Sequence, residues 1–350
     1  MWKDAGEGKI EVYCDKYGVK GGQPKPVVIS RYIPICELLF EGFGLWAGDG
    51  RKRRYLDHYS VFGFANTEIE LHKGFLKFAA LLGLSPNDFM VRVSVPTILE
   101  KELSSEEAAV SKGLGVDKSR FFKGSVNETR NYTFVDLIIQ SRILGYIVKI
   151  IYDKAIEIAF SKTEFVAAFI RGLIACEANV HVRSDKSNQL GEILIAIEDK
   201  EERVLVRRFL YKLNIDPSED KIITHQGSVL IHGRTNFEKV AYWKLCDLHP
   251  KKKERFYFGM GNFKSFQYRK GEAKKLILRS LAGGVSKNAK ELAEELKINI
   301  GTIKSEHLFK LVKGGFLMQS KPTKIGRVYV KFYSLTENGI KAAEENKNIY

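Results

Sequence analysis

The chain has 350 residues, of which 44% are apolar and 28% charged, and a formal net charge of +15. It reads as an ordinary globular protein long enough for two or three domains, with a charge that favours a polyanionic partner, nucleic acid before an anionic membrane surface. No run of about 18 apolar residues offers a membrane span, and no apolar stretch follows Met1-Trp2-Lys3-Asp4 to make a signal peptide. The four cysteines, Cys14, Cys36, Cys176 and Cys246, are scattered without a CxxC pair. That argues against a zinc ribbon or a disulfide framework and fits the reducing cytoplasm.

In chain order, residues 1–33 are rich in Gly and Lys and read as a strand-forming or loose arm. The apolar, small-residue stretch 33–47 predicts a helix, and Arg51-Lys52-Arg53-Arg54 follows it. Residues 55–65 read as a strand. Asn66-Thr67 with Glu68 and Glu70 predicts a helix start, and that helix runs through Phe75, Phe78, Ala79 and Leu82 to stop at Gly83. Val91, Val93 and Val95 alternate in a strand at 89–95, residues 100–125 read as an insertion or long loop, and 134–145 predicts a helix. The pattern then restarts. A helix is predicted over 163–178, with alternating stretches at 179–183 and 191–198. Asp199 caps a helix to 213, a hairpin turns at Gln226-Gly227, and a helix covers 236–245. The order helix–strand–strand–helix–strand–strand–helix therefore occurs twice. The basic stretch 249–255 closes the second copy, and 256–270 reads as a linker. Residues 271–350 form a separate unit of three helices, a hairpin with Lys321 and Lys324 at its tip, and a last helix capped by Thr336.

Two segments carry the chemistry. Gly42-Phe43-Gly44-Leu45-Trp46-Ala47-Gly48-Asp49-Gly50 and Ile170-Arg171-Gly172-Leu173-Ile174-Ala175-Cys176-Glu177-Ala178 each end an apolar helix with one carboxylate. Asp49 and Glu177 lie 128 residues apart (177 − 49). Two such helices packed together would bring both acids to their shared tips, and paired carboxylates on a basic protein point to divalent metal and phosphodiester chemistry.

These segments resemble the two signature helices of the monomeric LAGLIDADG homing endonucleases. Gly44, Leu45, Asp49 and Gly50 match in the first copy, and Gly172, Leu173 and Glu177 in the second. Ala175, Cys176 and Ala178 depart from the pattern. The resemblance covers roughly residues 34 to 250. It implies an α/β (α+β) duplicated fold with saddle-shaped antiparallel sheets, formed by repeats at 34–150 and 151–255, in a monomer with internal pseudo-twofold symmetry. It also implies a site-specific double-stranded DNA endonuclease using Mg²⁺ held by Asp49 and Glu177. Lys253 or Lys251 would be the basic group beside the metal, with a phosphate clamp or solvated charge as the plainer reading. The strands after each motif would face DNA with Arg51, Lys52, Arg53, Arg54 and His58 in the first repeat. In the second, Asn179, His181, Arg183 and Asp185 share one strand face.

The unit 271–350 resembles a winged helix-turn-helix domain, with Thr302, Lys304, Ser305, His307 and Lys310 on its third helix and Lys321, Lys324 and Arg327 on the wing. A protein-binding winged helix is its other reading. No P-loop is present, so no nucleotide cofactor is expected. The competing function is a DNA-binding transcriptional regulator on a degenerate LAGLIDADG scaffold that no longer cuts. An RNA-directed role is a third and weaker option.

Overall fold

The computed structural model describes residues 1–13, 25–50, 61–122, 124–127, 131–184, 188–219, 227–263, 271–325 and 328–345. The chain divides into two compact units. The first comprises Met1–Arg183, Leu190–His232 and Asn236–Phe258, and the second Ser184–Gln189, Gly233–Thr235 and Gly259–Tyr350.

The first unit opens with an antiparallel sheet of β1 (Trp2–Gly6), β2 (Lys9–Val12) and β3 (Val27–Ser30). The β1–β2 turn takes positive φ at Gly6, Glu7 and Gly8, which its glycines adopt without strain. The first repeat follows as α1 (Glu37–Asp49), β4 (Phe62–Asn66), α2 (Ile69–Leu81), β5 (Met90–Pro96), α3 (Leu103–Leu114), β6 (Ser125–Asn127), β7 (Phe134–Ile139) and α4 (Arg142–Ala159). Its sheet has the order β4-β7-β5-β6, antiparallel except for the β5–β6 pair.

Two expectations for this repeat are corrected. The helix expected at 134–145 is strand β7 as far as Ile139, and helix α4 starts only after Ser141, whose hydroxyl accepts from the Leu144 N–H at 3.2 Å. Strand β7 lies between two partners with Val135, Asp136 and Leu137 all buried, so its run shows no period-2 alternation. The loop expected at 100–125 contains helix α3, which buries only Val110 and Leu114 and ends at Gly115 in the left-handed conformation.

The second repeat comprises α5 (Thr163–Glu177), β8 (Ala178–Val182), β9 (Leu190–Ala196), α6 (Lys200–Lys212), β10 (Ser218–Glu219), β11 (Ser228–His232) and α7 (Arg234–Tyr242). Its sheet is antiparallel throughout, in the order β10-β11-β9-β8. Helix α8 (Pro250–Gly261) then runs on through a buried Phe256 where a linker from 256 was expected. The expected strand residues 55–60 and 222–223 lie outside the described residues. Aromatic side chains fill the core of the first repeat. Phe43, Trp46, Phe62, Phe64, Phe75, Phe78 and Phe89 are all buried, with Phe62 and Phe75 ring centroids 5.3 Å apart.

The second unit comprises α9 (Glu272–Ser280), β12 (Lys287–Asn288), α10 (Ala289–Glu295) and α11 (Ile300–Thr302), which continues through a π turn (Ile303–Leu308) into α12 (Phe309–Lys313). After these come β13 (Leu317–Gln319), β14 (Thr323–Ile325), β15 (Val328–Val330), β16 (Phe332–Leu335) and α13 (Glu337–Glu345). Strands β12, β16 and β13 form one sheet in that order, and β14 and β15 form a separate ribbon. Ile277, Leu281, Leu292, Ile303, Leu308 and Leu317 centre its core. Asn288 caps α10 with a reciprocal box. Its Oδ1 accepts from the Lys290 and Glu291 N–H groups at 2.8 and 3.0 Å, and its own N–H donates to Glu291 Oε2 at 2.8 Å. Asn288→Ala is expected to cost about 1 kcal/mol, read as a lower urea midpoint. An unchanged midpoint would show that α10 does not depend on this cap.

Candidate functional site

Helices α1 and α5 approach at backbone distance because glycines face backbone across the contact. A Cβ on Gly44 would fall 2.1 Å from Phe169 O and 2.9 Å from Leu173 N. A Cβ on Gly172 would fall 2.2 Å from Glu41 O and 2.7 Å from Leu45 N. Phe169, Gly172 and Leu173 stand in α5 where Glu41, Gly44 and Leu45 stand in α1, so each helix does to the other what is done to it. One turn further, a Cβ on Gly48 would lie 2.4 Å from Cys176 Cβ and 3.3 Å from Glu177 Cγ. The two helix tips are therefore in contact, and each ends in its acid. Phe40 stacks on Phe165 with centroids 4.4 Å apart, and Arg171 Nη1 donates to Glu41 Oε2 at 2.9 Å, clamping the other end.

Asp49 is oriented from β4. Asn66 Nδ2 donates to Asp49 Oδ2 at 2.6 Å, while Asn66 Oδ1 accepts from the Glu68 N–H at 2.8 Å. Behind them, the two ring nitrogens of buried His72 each lie 3.0 Å from a carbonyl, Nδ1 from Glu68 O and Nε2 from Val135 O, and burial holds its imidazole below the usual range. Burial first, and then the Asp49 carboxylate, push the Cys176 thiol well above its ordinary range. Glu177 lines an open cleft of about 350 Å³ with Gly48, Gly50 and Glu198.

The first turn of α8 carries three consecutive lysines that point three ways, as steps of about 100° require. Lys251 pairs with Glu68, and Lys253 with Asp247 at 3.2 Å. Lys252 turns inward instead. Its Nζ donates to the carbonyls of Ile174, Ala175 and Cys176 at 3.0, 2.7 and 3.0 Å, at the end of α5. Burial holds this ammonium below the usual lysine range, opposed by the nearby Cys176, Asp49, Cys246 and Glu177. Neither Lys253 nor Lys251, the lysines singled out from sequence, makes these contacts. The signal that points to Lys252 is Phe256, four residues on and buried, which places Lys252 on the inward face of α8. A second cleft of about 530 Å³ lies beside it, lined by Asn179, His249, Lys251, Lys252, Arg255 and Phe258 among others. Burial and then Lys252 hold the His249 imidazole below its usual range.

Strand β8 alternates as expected. Ala178 and Val180 are buried, and Asn179, His181 and Arg183 are exposed. Across the sheet, His181 faces Glu192 on β9, and Glu192 faces His232 on β11. Arg51, Lys52, Arg53, Arg54, His58, Asp185 and Arg327 lie outside the described residues. In the second unit Thr302, Lys304, Lys310 and Lys324 are exposed, and Lys310 pairs with Glu306. Among the described residues no group of three or more His, Cys, Asp or Glu is arranged to hold a metal ion. Two carboxylates do fit Mg²⁺, which commonly takes one or two acids and completes its shell with water and substrate phosphate. No helix among the described residues is long and apolar enough to cross a membrane.

Residues 164–242, from α5 to α7, match the LAGLIDADG-like domain family. The chain is similar to the solved structure of full-length DUF199/WhiA from Thermatoga maritima, at 11% identity and a TM-score of 0.39, covering 79% of this chain and 90% of that one. It is similar to the N-terminal LAGLIDADG domain of DUF199/WhiA at 12% identity and a TM-score of 0.36, covering 61% and 84%. It is similar to I-DmoI in complex with DNA and Ca at 16% identity and a TM-score of 0.34, covering 62% and 96%. No curated protein matches the chain in sequence. The family match and the two four-stranded, largely antiparallel sheets, each preceded by a motif helix, fit a LAGLIDADG-like fold of mixed helices and strands.

Proposed function

We propose that the protein is a site-specific double-stranded DNA endonuclease of the LAGLIDADG homing type, acting in the cytoplasm as a monomer with internal pseudo-twofold symmetry. The observation that supports this most is the pair of acids, Asp49 and Glu177, at the tips of two helices in reciprocal glycine contact. Asp49 and Glu177 would hold Mg²⁺, which when bound activates water and stabilises charge on a phosphodiester. The chain's own residues set that geometry. Gly44 and Gly172 fix the spacing of the helices, Asn66 orients Asp49, and Lys252 holds the last turn of α5. Asn179, His181 and Arg183 face the duplex from β8, and the basic residues Arg51, Arg53 and His58 are assigned the same role in the first repeat. The second unit acts as a winged helix-turn-helix, with Thr302, Lys304 and Lys310 toward the groove and Lys324 and Arg327 on the wing.

A second reading, a DNA-binding regulator that does not cut, is favoured by Lys252, whose positive charge already stands beside the acids. The experiment that separates the two is incubation of a randomised duplex library with the protein and Mg²⁺, scored for cuts at a defined sequence and for selective retention. Both readings require electrostatic binding. With a net charge of +15, log affinity is expected to fall against log salt with a slope of about −5 or steeper. Salt-insensitive retention of duplexes would contradict both.

A further inference from the structure

Lys252 has used all its hydrogen-bonding capacity. An ammonium has three N–H donors, and the carbonyls of Ile174, Ala175 and Cys176 receive three bonds from it. No donor is left for a substrate, a water or a carboxylate, so the group is a fixed point charge rather than a proton donor. It stands at the C-terminal end of α5, where the helix dipole gathers partial negative charge, bonding the carbonyls as far as Cys176, one residue before Glu177; Ile174 O also accepts from the Ala178 N–H. Asp49 and Glu177 both act on it electrostatically. The lysines on either side of it pair elsewhere, Lys251 with Glu68 and Lys253 with Asp247.

We propose that Lys252 is a resident counter-cation of the acid pair, and that it lets the protein bind duplex DNA without a divalent ion. The inference rests on the DNA-binding reading above. A phosphate strand drawn onto two carboxylates is repelled, the more strongly as water is excluded. A free divalent ion would relieve that repulsion only while bound. A tethered ammonium relieves it at any ion concentration, and the same charge opposes the entry of a divalent ion.

The test uses the full chain and a pool of fluorescein-labelled random-sequence duplexes, with anisotropy read in EDTA and in Ca²⁺ at matched ionic strength. Wild-type affinities in the two conditions are expected to agree within about threefold. Lys252→Gln keeps amide donors for the carbonyls and removes the charge; Lys252→Met removes both. Each is expected to bind about tenfold or more weakly in EDTA than in Ca²⁺, with Lys252→Arg restoring the wild-type ratio. Comparing the two conditions within one variant cancels the general loss from deleting a basic side chain. A wild type that needs Ca²⁺, or well-folded neutral variants with the wild-type ratio, would overturn the proposal. A second readout needs no DNA. Mn²⁺, followed by water-proton relaxation, should bind about tenfold more tightly to Lys252→Gln than to wild type. If no duplex is retained in either condition, the DNA reading fails while tighter Mn²⁺ binding still supports the counter-charge. Unchanged Mn²⁺ affinity overturns the counter-charge as well.

Discussion

Gly44→Ala is expected to destabilise the first unit by about 3 kcal/mol, lowering its melting temperature by about 10 °C. In an ordinary helix the same change gains stability, because alanine exceeds glycine in helix propensity by about 1 kcal/mol. Here the new methyl would lie 2.1 Å from the carbonyl oxygen of Phe169. That neighbour is backbone, so no side chain can swing away, and relief requires α1 and α5 to separate. Separation would in turn disturb the Phe40–Phe165 stack and the Arg171–Glu41 bond. Gly172→Ala, whose methyl would lie 2.2 Å from Glu41 O, should behave alike. The sign of the effect is the decisive quantity. Either variant melting at or above the parent would show that the helices are not held at backbone distance, and the placement of the acids would lose its basis.

The helix pair was legible in the sequence because its determinants are local. Gly44 and Gly48, like Gly172 and Cys176, stand one turn apart, and a single acid closes each run. The face of β8 was legible for the same kind of reason, since strict alternation separates Ala178 and Val180 from Asn179 and His181. Strand β7 was not. A strand paired on both edges shows an apolar run, here broken only by Asp136, without the alternation that marks a half-buried strand, and a helix can equally show such a run. Helix α3 was hidden by the opposite cause, because Leu103–Leu114 is mostly polar and buries only two side chains. The lysine beside the acids was missed because a run of three lysines carries no direction until the helix that holds it is phased. Phasing α8 required its start at Pro250 and the burial of Phe256; reading 249–255 only as a basic stretch hid the first, and a linker from 256 hid the second.

Asp49→Asn and Glu177→Gln are each expected to slow cutting by about a thousandfold or more, while duplex affinity stays within about threefold of wild type or rises. Each substitution keeps the size of the side chain and an oxygen acceptor but removes one charge. Asn66 can still donate to the acceptor that remains at position 49, so the tip of α1 keeps its local bonding. Affinity should not fall, because the lost charge repelled phosphate. A purely structural role predicts the reverse pattern, with both activities declining together as the helix tips loosen. The measurement is a matched pair on one randomised duplex library with Mg²⁺, sequencing the cut ends in one arm and the retained duplexes in the other. Cuts at a defined site that vanish in both variants, with retention intact, assign the chemistry to the acid pair. Selective retention by the wild type with no cuts, even with Mn²⁺, moves the assignment to the non-cutting regulator. In that case Asp49 and Glu177 serve as partners of the Lys252 charge rather than as ligands of a catalytic ion.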